Sequence, residues 1–288
     1  MDASSPDFPR EEDLKRLLEE VHQRWGVDFR DYAAPSIMRR VVQCMRAEAV
    51  GSLDDYRRRL LDDADCIERF ARAVTVHVTT MFRDADFYLA VREKVAPVLR
   101  PFNFLRIWHA GCSTGEEAFS LAVLLEEEGL GSRSRIYATD MSEDVLRRAR
   151  QAVFPLSAVR EFTGNYLRAG GTRAFSDYYR ASYDRAILRS FLRERIVFSR
   201  HDLVKDGPFN TFDVVLCRNV LIYFNSRLAE RVHRVLYDSL APGGILGLGS
   251  RETVRFSPYE SHYESMDAHA RLYRKTPLTD RAGPARSV

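Results

Sequence analysis

Four cysteines in 288 residues, Cys44, Cys66, Cys112 and Cys217, share no C-x-x-C spacing. Neither a zinc site nor a disulfide framework is indicated. No apolar run approaches the ~18 residues that a membrane span requires. The opening Met1-Asp-Ala-Ser-Ser-Pro lacks the basic and apolar regions of a signal peptide, so a cytoplasmic location is the expectation. Neither sign of charge is in excess: 44 Lys and Arg stand against 41 Asp and Glu, a formal +3. That balance permits an acidic partner without demanding nucleic acid. Internal repeats and low-complexity tracts are also missing. What is present is a chain 45% hydrophobic, enough for one large domain and a small one.

The most informative stretch is Leu105-Arg-Ile-Trp-His-Ala-Gly-Cys-Ser-Thr-Gly-Glu-Glu117. An apolar run of β-formers meets the glycine turn Gly111–Gly115, and the helix-like run Ala118–Leu125 follows, so the reading is strand, tight turn, helix. Glycine there allows a ligand to press against the backbone, and the first N–H groups of a helix are ready donors. Taken literally, Gly111-Cys-Ser-Thr-Gly115 also matches the G-x-S-x-G elbow of serine hydrolases, with Ser113 as nucleophile. The context disfavours the elbow, because neither several strands nor an HGGG-type segment precedes it. The next strand, Arg135–Asp140, ends in a carboxylate at roughly the ~20-residue spacing of a ribose-binding acid. A ligand crevice is the better reading, with a glycine turn that binds nothing as the bland one.

Before this stretch the chain reads as helical. Leu14, Leu17, Leu18 and Val21 recur at helical spacing up to Gly26. A second helix is expected over Ser36–Glu48, with Ile37, Val41 and Met45 on one face and Arg39, Gln43 and Arg46 along another. A third follows the cap Ser52, and a fourth carries Ile67, Phe70 and Val74. On its own, the arginine stripe is more often a solvated face than a binding one. Thr75–Arg83, rich in β-branched residues, reads as an ordered, packed connector.

After the glycine turn, strand and helix alternate. Ser142 can cap a helix through Val145, Leu146 and Ala149. Strands follow at Ile196–Ser199 and Phe212–Cys217. A helix carrying Leu228, Val232, Val235, Leu236 and Leu240 leads through Pro242-Gly-Gly244 to a strand at Ile245–Leu248. This pattern gives an α/β fold with a mainly parallel sheet. Polar residues at successive strand ends (Glu116, Asp140, Asp202, Asn219) sit where such sheets bind ligands, although loops are polar in any case. Between about Ala152 and Arg195, Gly170-Gly171 and Tyr178–Tyr183 suggest a turn and a short strand pair inserted on an edge, either a passive lid or a place for a partner's strand. The tail beyond Lys275 is expected to be disordered.

The chain resembles the CheR family, the chemotaxis receptor methyltransferases that use S-adenosylmethionine. Thr75–Arg83 resembles the family's T-x-N-x-T-x-F-F-R. Arg106–Glu117 resembles R-I-W-x-A-G-C-S-T-G-E-E, a long and specific string. Phe212–Phe224 follows the family's fourth-strand signature, and Pro242–Glu252 its P-G-G…L-G segment. Gly26-Val-Asp-Phe29 and Ile37-Met-Arg-Arg40 are similar to its helical domain. The resemblance runs from about Leu14 to Lys275.

It implies a small N-terminal α-helical domain (1–75) and a Rossmann-like class I S-adenosylmethionine-dependent methyltransferase domain (76–275). The latter carries an inserted antiparallel β-subdomain (152–195), and a tail (276–288) follows. The implied activity is methylation of glutamate side chains on the cytoplasmic helical domain of chemoreceptors, giving methyl esters and, as product, S-adenosyl-L-homocysteine. The implied cofactor contacts are His77, Thr79, Arg83, Gly111, Glu116, Asp140, Asp202, Leu203, Arg218 and Asn219. Arg218 and Tyr223 are the candidate catalytic residues, able to position the incoming carboxylate. Arg39, Arg40 and Arg46 are the candidate substrate contacts. No metal, nucleic acid, direct membrane insertion or second copy of the chain is expected. The sequence departs from the family at His77 (Asn in the family), at Asp202 (usually Asn) and at Gly249-Ser-Arg-Glu252 (Gly-His-Ser-Glu). These departures keep open a cofactor-binding regulatory module with weak or lost turnover. A methyltransferase acting on RNA or a small molecule is the third class. Cys217-Arg-Asn-Val220 stands where base-amine enzymes usually carry Asn/Asp-Pro-Pro-aromatic, which argues against it.

Overall fold

Fifteen-residue and shorter amphipathic helices build the start of the chain, as the apolar spacing requires. The computed structural model describes residues 10–74 and 79–276, which divide into two units. The first contains α1 (Glu11–Trp25), α2 (Ala34–Ala47), α3 (Leu53–Asp62) and α4 (Ala64–Val74). Leu14, Leu17, Leu18 and Val21 of α1 are buried, as are Ile37, Val41 and Met45 of α2. Gly26 ends α1 at φ +68°, and Ser52 caps α3 by accepting from Asp55 N–H at 3.1 Å. This unit also includes Leu221–Arg231, which a boundary at residue 75 does not anticipate. There Ala33 N–H donates to Tyr223 O at 2.8 Å and Asn225 N–H to Asp31 O at 2.9 Å, while Tyr32 and Phe224 meet edge to face.

The second unit begins with α5 (Ala85–Ala90), which runs through a π-helical turn at Val91–Val95 into α6 (Ala96–Leu99). Then come β1 (Leu105–Ala110), α7 (Glu116–Glu127), β2 (Ser134–Asp140) and α8 (Glu143–Gln151). The insertion comprises β3 (Val153–Pro155), α9 (Val159–Arg168), β4 (Tyr179–Ser182) and β5 (Arg185–Leu188). The chain continues with α10 (Ser190–Arg193), β6 (Ile196–Arg200), β7 (Phe212–Cys217), α11 (Ser226–Asp238), β8 (Leu240–Leu248), β9 (Tyr263–Asp267) and β10 (Leu272–Lys275). The main sheet has the order β6-β2-β1-β7-β8-β10-β9. Its first five strands are parallel, and β10 pairs antiparallel with both β8 and β9. The α7 run Ala118–Leu125 is buried on all sides, which is why it reads as apolar throughout and not as a stripe.

Two expectations about the insertion need correction. It is not a strand pair on an edge of the main sheet but a separate three-stranded antiparallel sheet, β3-β5-β4, with its own helix. Gly170-Gly171 follows α9, and the β4–β5 turn lies instead at Tyr183-Asp184, with Tyr183 at φ +52°. The strand expected at Ile245–Leu248 starts earlier, at Leu240, and its pairing with β7 is irregular between Phe212 and Val214. Pro242 and the glycines after it are accommodated at that irregularity, where a ladder hydrogen bond can be missing. No helix among the described residues is long and apolar enough to cross a membrane. Apart from Thr276, the tail expected to be disordered lies outside the described residues, as does the connector segment 75–78.

Candidate cofactor site

Register decides which side chains can meet. Ala110 is paired with Thr139 and Cys217, Asp140 with Arg200, and Cys217 with Leu248. One edge of the parallel sheet therefore gathers Gly111, Asp140, His201–Leu203, Arg218–Asn219 and Gly249, the carboxyl ends where ligands bind in such folds. All of these lie in the second unit.

The glycine turn is shaped for close approach. Gly111 has φ +73° and Gly115 φ +95°, and even Ser113 is left-handed at φ +50°. A Cβ at Gly111 would run into Val220 Cγ2. Gly111 and Cys112 both donate to Thr139 O, at 2.8 and 2.9 Å. The Ser113 hydroxyl oxygen is buried with no hydrogen-bond partner among the described residues.

Asp140 is buried, with its carboxylate aimed across this turn. Its Oδ2 accepts from Ser113 N–H at 2.9 Å and its Oδ1 from Ser142 N–H at 3.0 Å. Each oxygen keeps a further lone pair for a ligand hydroxyl. The Asp140 carbonyl accepts from His201 N–H at 3.1 Å, which ties β2 to the Asp202-Leu203 turn. Asp202 closes that turn itself: its Oδ1 accepts from Val204 N–H at 2.9 Å. An asparagine oxygen makes the same bond, so the departure from the family pattern leaves the local turn intact.

Glu116, the first residue of α7, has the clearest electrostatic perturbation. Burial pushes its carboxyl up to about 7, against the weaker opposing effect of the bond from the Thr114 hydroxyl at 2.6 Å. A carboxyl so desolvated favours a cationic ligand group that restores its charge. Its neighbour Glu117 goes the other way. Burial raises it, but Arg218 and then His109 outweigh that, and the carboxyl stays below its ordinary range.

Arg218 differs from what the sequence led us to expect. Its guanidinium is buried against Glu117, with which it forms an ion pair, and bonds Asp84 at 2.8 Å and Arg83 O at 3.3 Å. It also lies 4.0 Å from the Phe87 ring centroid. Both terminal nitrogens are committed to internal acceptors. The geometry favours an anchor for the β7 turn over a hand that meets an incoming carboxylate. Asn219, next along, sits at φ +59° with its side-chain oxygen buried and unpartnered among the described residues. Thr79 and Arg83 lie at the start of the same unit. Phe82 N–H donates to the Ser120 hydroxyl at 2.8 Å, and Met81 O accepts from Asn165 at 2.9 Å, which fixes this part of the connector. His77 lies outside the described residues. Tyr223 and the α2 arginines are described with the first unit. There Arg39 and Arg46 are exposed with no ion pair among the described residues, while Arg40 donates to Gln43 at 2.9 Å.

Sequence reasoning missed Asp84, His109, Glu117 and Glu252, all of which support this edge of the sheet. Glu117 carried a signal, as the second acid of the glycine-turn string. Asp84 carried none, because its partner Arg218 is distant in sequence, whereas His109 faces Glu117 only eight residues on, at 3.8 Å, and reads in the sequence as one more residue of the strand.

A doubly wound sheet with a glycine turn, a ribose-type acid on the second strand and a buried acid opening the first crossover helix defines a nucleoside-cofactor domain of the methyltransferase class. Comparison with known proteins narrows this. The family model described as "CheR methyltransferase, SAM binding domain" matches residues 77–270, and "CheR methyltransferase, all-alpha domain" matches 12–75. The chain belongs to the CheR methyltransferase family. It is 40% identical to Cher3 of Pseudomonas putida over 264 residues, 92% of this chain and 97% of that one. It is 29% identical to the chemotaxis protein methyltransferase of Listeria innocua, covering 86% and 92% of the two chains. With the enzyme of that name from Salmonella typhimurium the identity is 28%, covering 83% of each. Its cofactor is S-adenosyl-L-methionine. The cradle at Gly111, the two unpartnered oxygens of Ser113 and Asn219, and the acids Asp140 and Glu116 fit a ligand with hydroxyls, an amine and a positive centre.

Proposed function

We propose that this chain transfers a methyl group to glutamate side chains on the cytoplasmic helical domain of a chemoreceptor, forming methyl esters. What carries this reading is the presence of both CheR domains in one chain, in order and over most of its length, alongside similarity to proteins named chemotaxis protein methyltransferases.

When bound, S-adenosyl-L-methionine supplies an electrophilic methyl on a sulfonium. Asp140 is assigned to the ribose hydroxyls, Glu116 to a cationic group, and Thr79, Arg83, Gly111, Asp202, Leu203, Arg218 and Asn219 to the remaining walls, with His77 added by the family resemblance alone. A glutamate nucleophile has an ordinary pKa near ~4.3 and is ionised at neutral pH. The protein has no proton to remove, unlike enzymes acting on hydroxyls or amines. Its work is to align the carboxylate and exclude water. Tyr223 remains the candidate for orienting the carboxylate. Arg218 contributes by holding its turn, since a tight pairing with the ground-state nucleophile would lower reactivity. The exposed arginines of α2 offer complementary charge to a glutamate-rich helix, acting mainly on encounter rate and salt sensitivity.

The test is incubation with tritiated S-adenosyl-L-methionine and cytoplasmic receptor fragments. A methyl ester releases volatile methanol under mild alkali. Alkali-stable label on the receptor means the methyl went to nitrogen or carbon and rejects the reading. Cofactor binding by calorimetry without any labelling identifies a regulatory module instead.

A further inference from the structure

One carboxylate under this edge of the sheet has no part in the roles above. Glu252 is only 4% exposed. Its Oε2 accepts from the backbone N–H of Gly249 at 2.6 Å and of Asn219 at 2.9 Å, and its Oε1 accepts from Val220 N–H at 2.7 Å. Three main-chain donors from two turns, one after β7 and one after β8, converge on a single ionisable group. Such charge-assisted bonds are the strong ones. Residue 249 must be small for this to happen: a Cβ there would lie 2.6 Å from Glu252 Oε2 and 2.8 Å from Asn219 N.

The turn held in this way is an unfavourable one. Asn219 is left-handed at φ +59°, a conformation that persists in non-glycine residues only where the surroundings impose it. Val220 places its Cγ2 where a side chain at Gly111 would begin. The carboxylate therefore fixes two things together: the direction in which the Asn219 amide points, and the wall against which the glycine turn rests.

We propose that Glu252 is a positioning residue for cofactor binding, acting through Asn219 and Val220. The inference rests on assigning Asn219 to the cofactor. Glutamine is the informative replacement, since its amide nitrogen only donates and leaves at least one of the three N–H groups without an acceptor.

The experiment titrates S-adenosyl-L-homocysteine into the parent, Glu252→Gln, Asn219→Ala and the double variant, with melting curves alongside. Expected are an affinity loss of about tenfold or more in each single variant and a double variant within about twofold of Glu252→Gln, because residues acting as one unit do not add. A variant that only melts earlier while binding like the parent overturns the proposal, as do losses that add in full. Normal binding by Asn219→Ala removes the Asn219 assignment and the coupling with it, whereas a parent that does not bind at all removes the cofactor site itself. If Glu252→Gln does not fold, amide hydrogen exchange on the parent gives the answer. The ligand should protect Asn219, Val220 and Gly249 together, and protection confined to Asn219 overturns the proposal.

Discussion

Glu116→Gln separates the price of a buried charge from the gain of a ligand contact. The parent carboxyl, only 9% exposed, is held up at about 7 against an ordinary 4.5. Below pH 4.5 it is protonated in both folded and unfolded chains and has no effect. Between 4.5 and about 7 the unfolded chain releases the proton while the folded chain keeps it, so stability falls with rising pH. The slope is about 1.4 kcal/mol per pH unit, and the total penalty levels off near ~3 kcal/mol above pH 7. Glutamine has no such term. Without cofactor, urea unfolding at pH 5, 6, 7 and 8 should show Glu116→Gln close to the parent at the acid end and more stable by up to ~3 kcal/mol at the alkaline end. Cofactor binding should move the other way. A cationic group restores the carboxylate, so parent affinity rises by up to about tenfold per unit between pH 5 and 7, and Glu116→Gln binds weakly with no such rise. A stability difference that does not change with pH would show that the carboxyl is not desolvated as its surroundings indicate.

Asp140→Ala should weaken cofactor binding by ~2–4 kcal/mol, because bonds to charged groups run at ~1.5–3 each; calorimetry on a folded variant with unchanged affinity would remove the ribose assignment. Reversing charge at Arg39 and Arg46 should raise the Michaelis constant for receptor and flatten its salt dependence while leaving cofactor affinity alone, and an equal loss of cofactor affinity would point to misfolding. Arg218→Ala strands the buried Glu117, so denaturant unfolding should show ~3–5 kcal/mol of destabilisation; a variant that keeps its stability and loses only turnover would restore Arg218 to direct contact with substrate.

The strand ends were legible because their chemistry is local. Gly111–Gly115 and Asp140 can be read within a few residues of themselves, and burial on both faces makes the parallel strands plain apolar runs. Elements whose pairing lies elsewhere were not. Tyr263–Asp267 shows no alternation, being mostly polar at a sheet edge, and β3 is three residues long and ends in proline, too short for a periodic signal. The same reason hid the commitment of Arg218. Its partners Glu117 and Asp84 are more than a hundred positions away, so a motif that places an arginine after a strand says nothing of what that arginine already holds. The direction of the Arg39 face was legible from spacing alone, while its use was not.

The place of β10 within the sheet has a consequence for synthesis. The last strand lies inside the order, between β8 and β9, and Lys275 at its end donates to the carbonyls of Tyr237 and Leu240, at 2.7 and 2.8 Å. When Leu248 has been polymerised, the free edge of β8 has no partner until the ribosome has added the segment through Lys275, about 1–5 s at typical elongation rates. A released chain that ends short of β10 presents an open apolar edge, Ile245-Leu-Gly-Leu248, of the kind that pairs with other chains. Premature termination in this segment therefore yields a chain that keeps the whole glycine turn and its acids yet is prone to aggregate.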